Sequence, residues 1–312
     1  MVRGRFRRKR VAIILGGMSA ESEISQLTGE SVARVLSERG YNVSVIRAGR
    51  DLPGRLVAAR IDVVFNALHG RFGEDGCVQG LLEMMRIPYT GSGVVASAIG
   101  MAKPATKRIW EHFGLPTPEW RTVVPGEKVG ASFVLPSKLP LVVKPAAEGS
   151  SVAVSIVRER SKLVAAVTKA RALGGEVLLE RYVAGKEVTV AILGDRALGT
   201  MEVVPKGEFH SYDVKYTAGM EEFLVPAPLP RKAEARVLEL ALAAHRAIGA
   251  ESYSRVDFRV DASESPFLIE INTLPGLTSF SYFPKIAAHA GIPYADLVET
   301  ILDGASLKLK EA

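Results

Sequence analysis

The 312-residue chain reads as α/β joined to α+β: an N-terminal doubly wound parallel-sheet domain, then a two-part region of antiparallel sheets. Three observations predict this. Over the first hundred residues strand-like and helix-like stretches alternate, the pattern of a parallel sheet covered on both faces. From about Lys103 the alternation gives way to hairpin-like pairs of strands. Late in the chain, "SRVDFRV" and "FLIEINTLPG" each carry one apolar and one charged face at period two, as half-buried strands do. The length also suits two or three domains rather than one core.

In order, "VAIILGG" is an apolar run fit for a buried strand. A helix follows with Ile24, Leu27, Val35 and Leu36 in phase, Ser19 and Ser22 available as N-caps, and an end at Gly40. Then come strands "NVSVIRA" and "IDVVFNAL", helix "VQGLLEMMR", short strand "IPYT" and helix "VVASAIGMA". A helix running to Phe113 leads through the turn-rich "GLPTPEW" into a strand, followed by "LPLVVKP", a Gly/Ser loop and "VAVSIV". Helix "SKLVAAVTKARALG", capped by Ser161, and strand "EVLLERYV" complete the central part. Strands "KEVTVAILG" and "ALGTMEVVP" open the third part as a hairpin. Residues 206–222 have no periodicity, and loops of that length are usually functional or disordered. Helix 231–248, the two patterned strands and two closing helices end the chain. The expected boundaries are a basic disordered tail at 1–10, an N-terminal domain at 11–102, a central part at 103–184 and a C-terminal part at 185–312.

Composition narrows the function. The formal net charge of +6 is accounted for by Arg3, Arg5, Arg7, Arg8, Lys9 and Arg10, leaving the rest of the chain neutral. A basic groove for nucleic acid is therefore not supported. No apolar run approaches the roughly 18–20 residues of a membrane helix. Cys77 is the only cysteine, which excludes a disulfide framework and a cysteine metal cluster; it reads as a buried thiol in a reducing cytoplasm.

Four segments carry candidate chemistry. "GSGVVA", Gly91 to Ala96, matches a dinucleotide fingerprint but sits late in its domain and reads better as a structural turn. "VVKPAAEGSSV" brings Lys144 to the mouth of a small-residue loop whose amides could cradle phosphate; a plain hairpin turn fits equally. Glu180 and Glu187 in "LLERYVAGKEV" could accept hydrogen bonds from a base or a ribose, or be surface acids flanking a turn. Asp257, Glu270 and Asn272 share the charged faces of two strands joined by a short connection. If the strands pair antiparallel, three oxygen-bearing side chains converge, a set suited to Mg²⁺ with substrate phosphates completing its shell. Arg255 on the same face offers a fork for an oxyanion or carboxylate. A solvated sheet face with cross-strand ion pairs would explain Asp257 and Arg255, though not Asn272 followed by "TLPG".

The order of these pieces resembles the ATP-grasp superfamily, and within it the D-alanine–D-alanine ligase family, from about residue 11 to 304. The resemblance rests on "GGMSAESEIS", "ALHGRFGEDGCVQGLLE", "PYTGSG", "KPAAEGSSV", "YDVKYTAG" and "EINTLPGLTSFS" in family order. It implies a pre-ATP-grasp N-terminal domain and a two-part ATP-grasp fold. The implied reaction joins two D-alanine molecules through an acyl phosphate, with ATP as co-substrate and two Mg²⁺ or Mn²⁺ ions, for peptidoglycan precursor synthesis. The family further implies a bacterial cytoplasmic homodimer, with no nucleic-acid or membrane partner.

Position by position, the resemblance implies that Lys103, Lys144, Glu180, Arg181, Val183 and Glu187 hold ATP, with Lys215 near the terminal phosphate. Asp257, Glu270 and Asn272 would be the metal ligands. Glu21, linked through Ser150 and Tyr216, would hold the first D-alanine's ammonium, and His69 would lie near its carboxylate. Arg255 and the Gly276 N–H would line the oxyanion site, and Ser281 would meet the second D-alanine's carboxylate. Loop 206–222 would be a lid, and Tyr216, where depsipeptide ligases present histidine, favours a dipeptide product. Three positions depart from the family pattern: Ala102 (usually Asp), Ala147 (commonly Arg) and Ala153 (commonly Gly). Rival readings are an ATP-grasp ligase with another second substrate, a nicotinamide-dependent oxidoreductase and a non-catalytic ATP-binding module.

Overall fold

In the computed structural model, residues 4–130, 132–149, 152–206 and 220–309 are described. The N-terminal sheet has three parallel strands, β1 (Arg10–Gly16), β2 (Asn42–Ala48) and β3 (Val63–Asn66), in the order β2-β1-β3. Alternation along β1 feeds two cores. Val11 and Ile13 pack with Val32 and Leu36 of helix α1 (Ser22–Glu38), while Ala12 and Ile14 pack with Leu52 and Leu56 of α2 (Leu52–Ala58). Burial on both faces is why β1 is apolar throughout. Helix α1 ends as expected at Gly40, where Tyr41 N–H donates to Leu36 O and Gly40 N–H to Ser37 O, the paired bonds of a Schellman stop. Helices α3 (Cys77–Met84), α4 (Val94–Met101) and α5 (Lys103–His112) follow.

The central part is a four-stranded antiparallel sheet of β4 (Trp120–Val123), β5 (Leu141–Pro145), β6 (Ser155–Val157) and β7 (Val177–Arg181), ordered β4-β7-β5-β6 and backed by α6 (Leu163–Arg171). The C-terminal part is a five-stranded antiparallel sheet. It comprises β8 (Lys186–Leu193), β9 (Arg196–Pro205), β10 (Glu221–Leu224), β11 (Tyr253–Val260) and β12 (Pro266–Asn272), ordered β10-β9-β8-β11-β12. Helix α7 (Arg231–Ala247) covers the face formed by Val188, Val190, Val256, Phe258, Leu268 and Ile271. Helices α8 (Tyr282–His289) and α9 (Tyr294–Asp303) return to the N-terminal domain, so one core holds Ile13 and Val32 together with Met201, Phe283 and Ile301.

Several expectations are corrected. Residues 4–9 are not an overhang: Phe6 is buried, and the Gly4 and Arg5 amides donate to the Asp303 carboxylate at 2.9 Å each. An apolar residue among the arginines anchors the segment on α9. "IPYT" forms no strand; Tyr89 makes single bridges to Val64 and Ser306. Helix α2 escapes the sequence pattern because Pro53 and Gly54 read as turn residues. Neither Ser22 nor Ser161 caps a helix through its side chain: Ser22 lies inside α1, and Ser161 sits in a 3₁₀ turn, bonded to Glu159. Glu221 and Glu222, expected in the long loop, belong to β10 and pair with Pro205 and Val204. Cys77 is exposed at the start of α3 rather than buried. "GSGVVA" is a packed turn, since a Cβ on Gly91 would lie 2.7 Å from the Leu274 side chain. Among the described residues no helix is long and apolar enough to cross a membrane.

Candidate active site

The charged face of the five-stranded sheet turns toward the central sheet. Antiparallel pairing puts Asp257 opposite Glu270 and Arg255 opposite Asn272 on one side, and Asp257 opposite Thr189 and Arg259 opposite Glu187 on the other. A bulge interrupts the β11–β12 ladder: Phe258 pairs with Leu268, leaving Ile269 without an opposite residue. This corrects strict alternation in "FLIEIN". Leu268 joins the core under α7, while Ile269 and Glu270 line the cleft. One extra residue re-aims the carboxylate, a common use of a bulge beside a site.

The cleft between the two sheets opens to solvent and holds about 940 Å³ of space, its solvent-filled mouth included. Lys103, Lys144, Glu180, Arg181, Val183, Glu187, Asp257 and Glu270, eight of the expected site residues, line it together with Glu148, Gly149, Tyr182 and Arg259. Val142, Val152, Val154 and Ile156 from the central part and Ile269 from β12 supply apolar wall, against which a flat aromatic base could stack.

Lys144 and Glu180 are both buried, with Nζ 2.5 Å from Oε1. Burial opposes both charges, but Lys107 and Lys144 together hold the Glu180 pKa below its ordinary value, and Glu180 with Glu270 holds the Lys144 pKa above its own. The second Glu180 oxygen, also buried, lies 2.9 Å from Lys107 Nζ without a well-aligned hydrogen bond. Lys103 donates to Glu148 O at 2.7 Å and stands 3.4 Å from Glu270 Oε2. Arg259 reaches the segment joining the two sheets: its guanidinium donates to Val183 O at 3.1 Å and Gly185 O at 2.7 Å and lies 3.4 Å from Glu187.

Arg255 grips Asp257 with two bonds of 2.8 and 2.7 Å, and Thr189 donates to the same carboxylate at 2.6 Å. Burial disfavours the guanidinium charge, but Asp257 more than offsets this and holds its pKa above the ordinary value. Asn272 accepts a bond from Leu274 N–H at 3.0 Å through its side-chain oxygen, which retains a second lone pair. Two carboxylates and an amide oxygen on one sheet face are the donors a hard cation prefers. No group of three or more His, Cys, Asp or Glu side chains among the described residues could hold a metal on its own. With two carboxylates and one amide oxygen, an ion held by this set would complete its shell with water or with oxygens of a bound ligand.

Glu21 immediately precedes α1, and its carboxylate reaches both Gly70 and Gly149: a Cβ on Gly149 would lie 3.2 Å from Oε1, and one on Gly70 2.5 Å from Oε2. An acid that precedes α1 thus meets the glycine- and serine-bearing loop after β5. His69 is buried, with Nε2 3.1 Å from Thr28 Oγ1 and Nδ1 3.0 Å from Glu74 Oε1. Burial raises the Glu74 pKa against the opposing pull of His69. Ser281 stands at the N-terminus of α8, where its hydroxyl meets Thr278 N–H at 3.1 Å; a Cβ on Gly276 would lie 2.9 Å from that hydroxyl. Ser150, Lys215 and Tyr216 lie outside the described residues.

Sequence reasoning missed Lys107, Glu74 and the clamp made by Arg259. Lys107 had a legible signal, one helical turn beyond Lys103 and on the buried face with Thr106 and Trp110.

The family described as "D-ala D-ala ligase C-terminus" matches residues 109–303, and "D-ala D-ala ligase N-terminus" matches residues 48–92. A D-alanine--D-alanine ligase from Anaeromyxobacter sp. is 48% identical over 306 residues, covering 98% of this chain and 99% of the relative. One from Geobacter sulfurreducens is 46% identical over 316 residues, covering 99% and 98%. The crystal structure of D-alanine--D-alanine ligase from Bacillus anthracis complexed with ATP superposes with a TM-score of 0.84 at 33% identity, covering 95% of this chain and 97% of that one. Fold, cleft and kinship agree: the chain belongs to the D-alanine–D-alanine ligase family.

Proposed function

We propose that this protein joins two D-alanine molecules into D-alanyl-D-alanine, consuming ATP and releasing ADP and phosphate. The observation that carries the reading is a lysine- and carboxylate-lined cleft between two antiparallel sheets, with Glu21 reaching its loop from the first domain. Family membership at this identity and coverage supports the substrate assignment.

The chemistry follows from the groups available. A carboxylate is a poor electrophile, so the first D-alanine's oxygen attacks the γ-phosphorus and ADP departs, leaving an acyl phosphate. Lys144 and Lys103 face the phosphates as fixed cations, while Glu180, Arg181, Val183 and Glu187 receive the nucleoside. Glu21 holds the ammonium of the first D-alanine, and His69, kept in place by Thr28 and Glu74, lies at its carboxylate. Asp257, Glu270 and Asn272 would hold two Mg²⁺ or Mn²⁺ ions, which when bound neutralise charge on the transferring group. The second D-alanine's neutral amine then attacks the activated carbonyl, forming the C–N bond, and phosphate leaves. Arg255 and the Gly276 N–H donate to the tetrahedral oxyanion. Ser281, at a helix N-terminus, receives the second carboxylate. Ser150, Lys215 and Tyr216 complete the site by their motif positions, with Tyr216 favouring an amine over a hydroxyl acceptor. A homodimer acting in the cytoplasm belongs to the same proposal.

Mass spectrometry of products from ATP, Mg²⁺ and D-alanine tests it. The expected product is the dipeptide, formed with phosphate release that depends on D-alanine. Glu270→Ala should abolish phosphoryl transfer while the circular dichroism spectrum stays native. Phosphate release without dipeptide, or product only with D-lactate, D-serine or L-alanine in the second position, overturns the reading.

A further inference from the structure

Lys107 is a fully buried cation that does not line the cleft, although the carboxylate it faces does. Its ammonium lies 2.9 Å from Glu180 Oε2 and donates to Thr117 Oγ1 at 2.5 Å. Thr117 in turn donates to Leu268 O at 2.9 Å, and Leu268 N–H returns a bond to Pro116 O at 2.8 Å. One chain of polar contacts thus runs from β12 of the C-terminal sheet, through the segment after α5, to Glu180 of the central sheet.

Burying an ammonium is costly, and an apolar side chain of similar volume would often serve packing as well or better. What the charge does here is visible in the count of neighbours. Lys144 and Glu180 alone would form a neutral pair. With Lys107 charged the group holds two cations and one carboxylate, although burial and Lys144 lower the Lys107 pKa against the pull of Glu180; Lys144 is the cation on the cleft wall, where Glu270 and Glu187 also attract it. Glu180 divides its two oxygens between the lysines, so Lys144 retains positive field toward a bound anion. Two cations also fix the carboxylate against rotation and keep it ionised.

We propose that Lys107 is a positioning residue for the nucleotide: acting through Glu180, it orients that carboxylate and leaves Lys144 a net positive charge toward the phosphates of ATP. The inference rests on the ATP-dependent reading above and names a residue of the same site that does not itself touch substrate.

The test is a double-mutant cycle on the full chain with Mg²⁺, read as the Kd of ATP by calorimetry without D-alanine, beside steady-state kinetics. Lys107→Met should raise the Kd and KM for ATP by about 10–100-fold. The KM for D-alanine should stay within about twofold, the signature of lost nucleotide binding rather than a damaged fold. In a Glu180→Gln background the same substitution should change the Kd by less than about threefold, because the group it acts through is gone. Lys107→Arg, which keeps the charge, should recover most of the affinity.

An unchanged Kd in a folded Lys107→Met protein, or equal shifts in both backgrounds, overturns the proposal. Should Lys107→Met fail to fold, Thr117→Val decides. That variant keeps the ammonium but removes its second tether, and should weaken ATP binding by about 3–10-fold; no change refutes the role. A wild type that binds ATP yet makes no dipeptide would instead refute the substrate assignment, while the ATP cycle would still report on Lys107.

Discussion

Arg255 and Asp257 lie two residues apart on β11, and the pair shows how one side chain can serve two ends. The guanidinium satisfies the carboxylate bidentately, and as a planar fork it still has donors to spare. Replacing it with lysine keeps a charge but loses the fork. Arg255→Lys should lower kcat by about 10²–10³-fold with a smaller change in the KM for ATP, as loss of an oxyanion donor does. Steady-state phosphate release measures this, and a near-wild-type kcat would remove Arg255 from the chemical step. Of the site, Asp257, Glu270, Lys144 and Glu180 were legible because their residue types clash with apolar strands. Glu74 was not, because one more charge in a glycine-rich loop looks like surface, and Lys107 was missed although it follows Lys103 by one helical turn on the buried face of its helix. The family departures also acquire a physical meaning. Ala153 sits at φ 56°, a left-handed conformation that favours glycine, and Ala102 and Ala147 share one small pocket with Arg108 and Glu176.

Among the elements, α7 carries the C-terminal sheet and so the charged face above it. His245 lies in its last turn, buried, with Nδ1 2.7 Å from Ser254 Oγ at the start of β11. Burial pushes its pKa down from 6.5 to about 4. Between those values the unfolded chain binds more protons than the folded one, so stability is fully present above pH 6.5 and lost as pH falls toward 4. The shift corresponds to about 3 kcal/mol. His245→Gln should remove that part of the acid limb: in urea unfolding, the drop in stability from pH 7.5 to 4.5 should shrink relative to wild type. An identical drop in both would show that the imidazole titrates freely. The helix itself was legible from its apolar spacing, whereas β10 was not, since "EEFL" gains strand character only by pairing with β9.

At the scale of the molecule, the chain closes on itself. The first described residues dock on α9 through Phe6 and Asp303, and α8 and α9 return to the N-terminal domain. Phe6→Ala should therefore destabilise the protein by about 3 kcal/mol, the lower end for a buried phenylalanine. A thermal melt would show it, and an unchanged melting temperature would mean the segment does not hold the fold together. The same closure puts Glu21 against Gly149, sequentially distant residues of two domains.

What the sequence determined by itself was the alternation of elements, the family, and the types of charged residue placed on otherwise apolar strands. Those depend on local period and composition, which the chain carries without folding. The tertiary structure alone decided that residues 4–9 dock through Phe6 and two backbone amides, that a bulge turns Glu270 into the cleft, and that two lysines share one buried carboxylate. Each of these is a long-range contact, set by how sheets and helices meet once the apolar faces are buried.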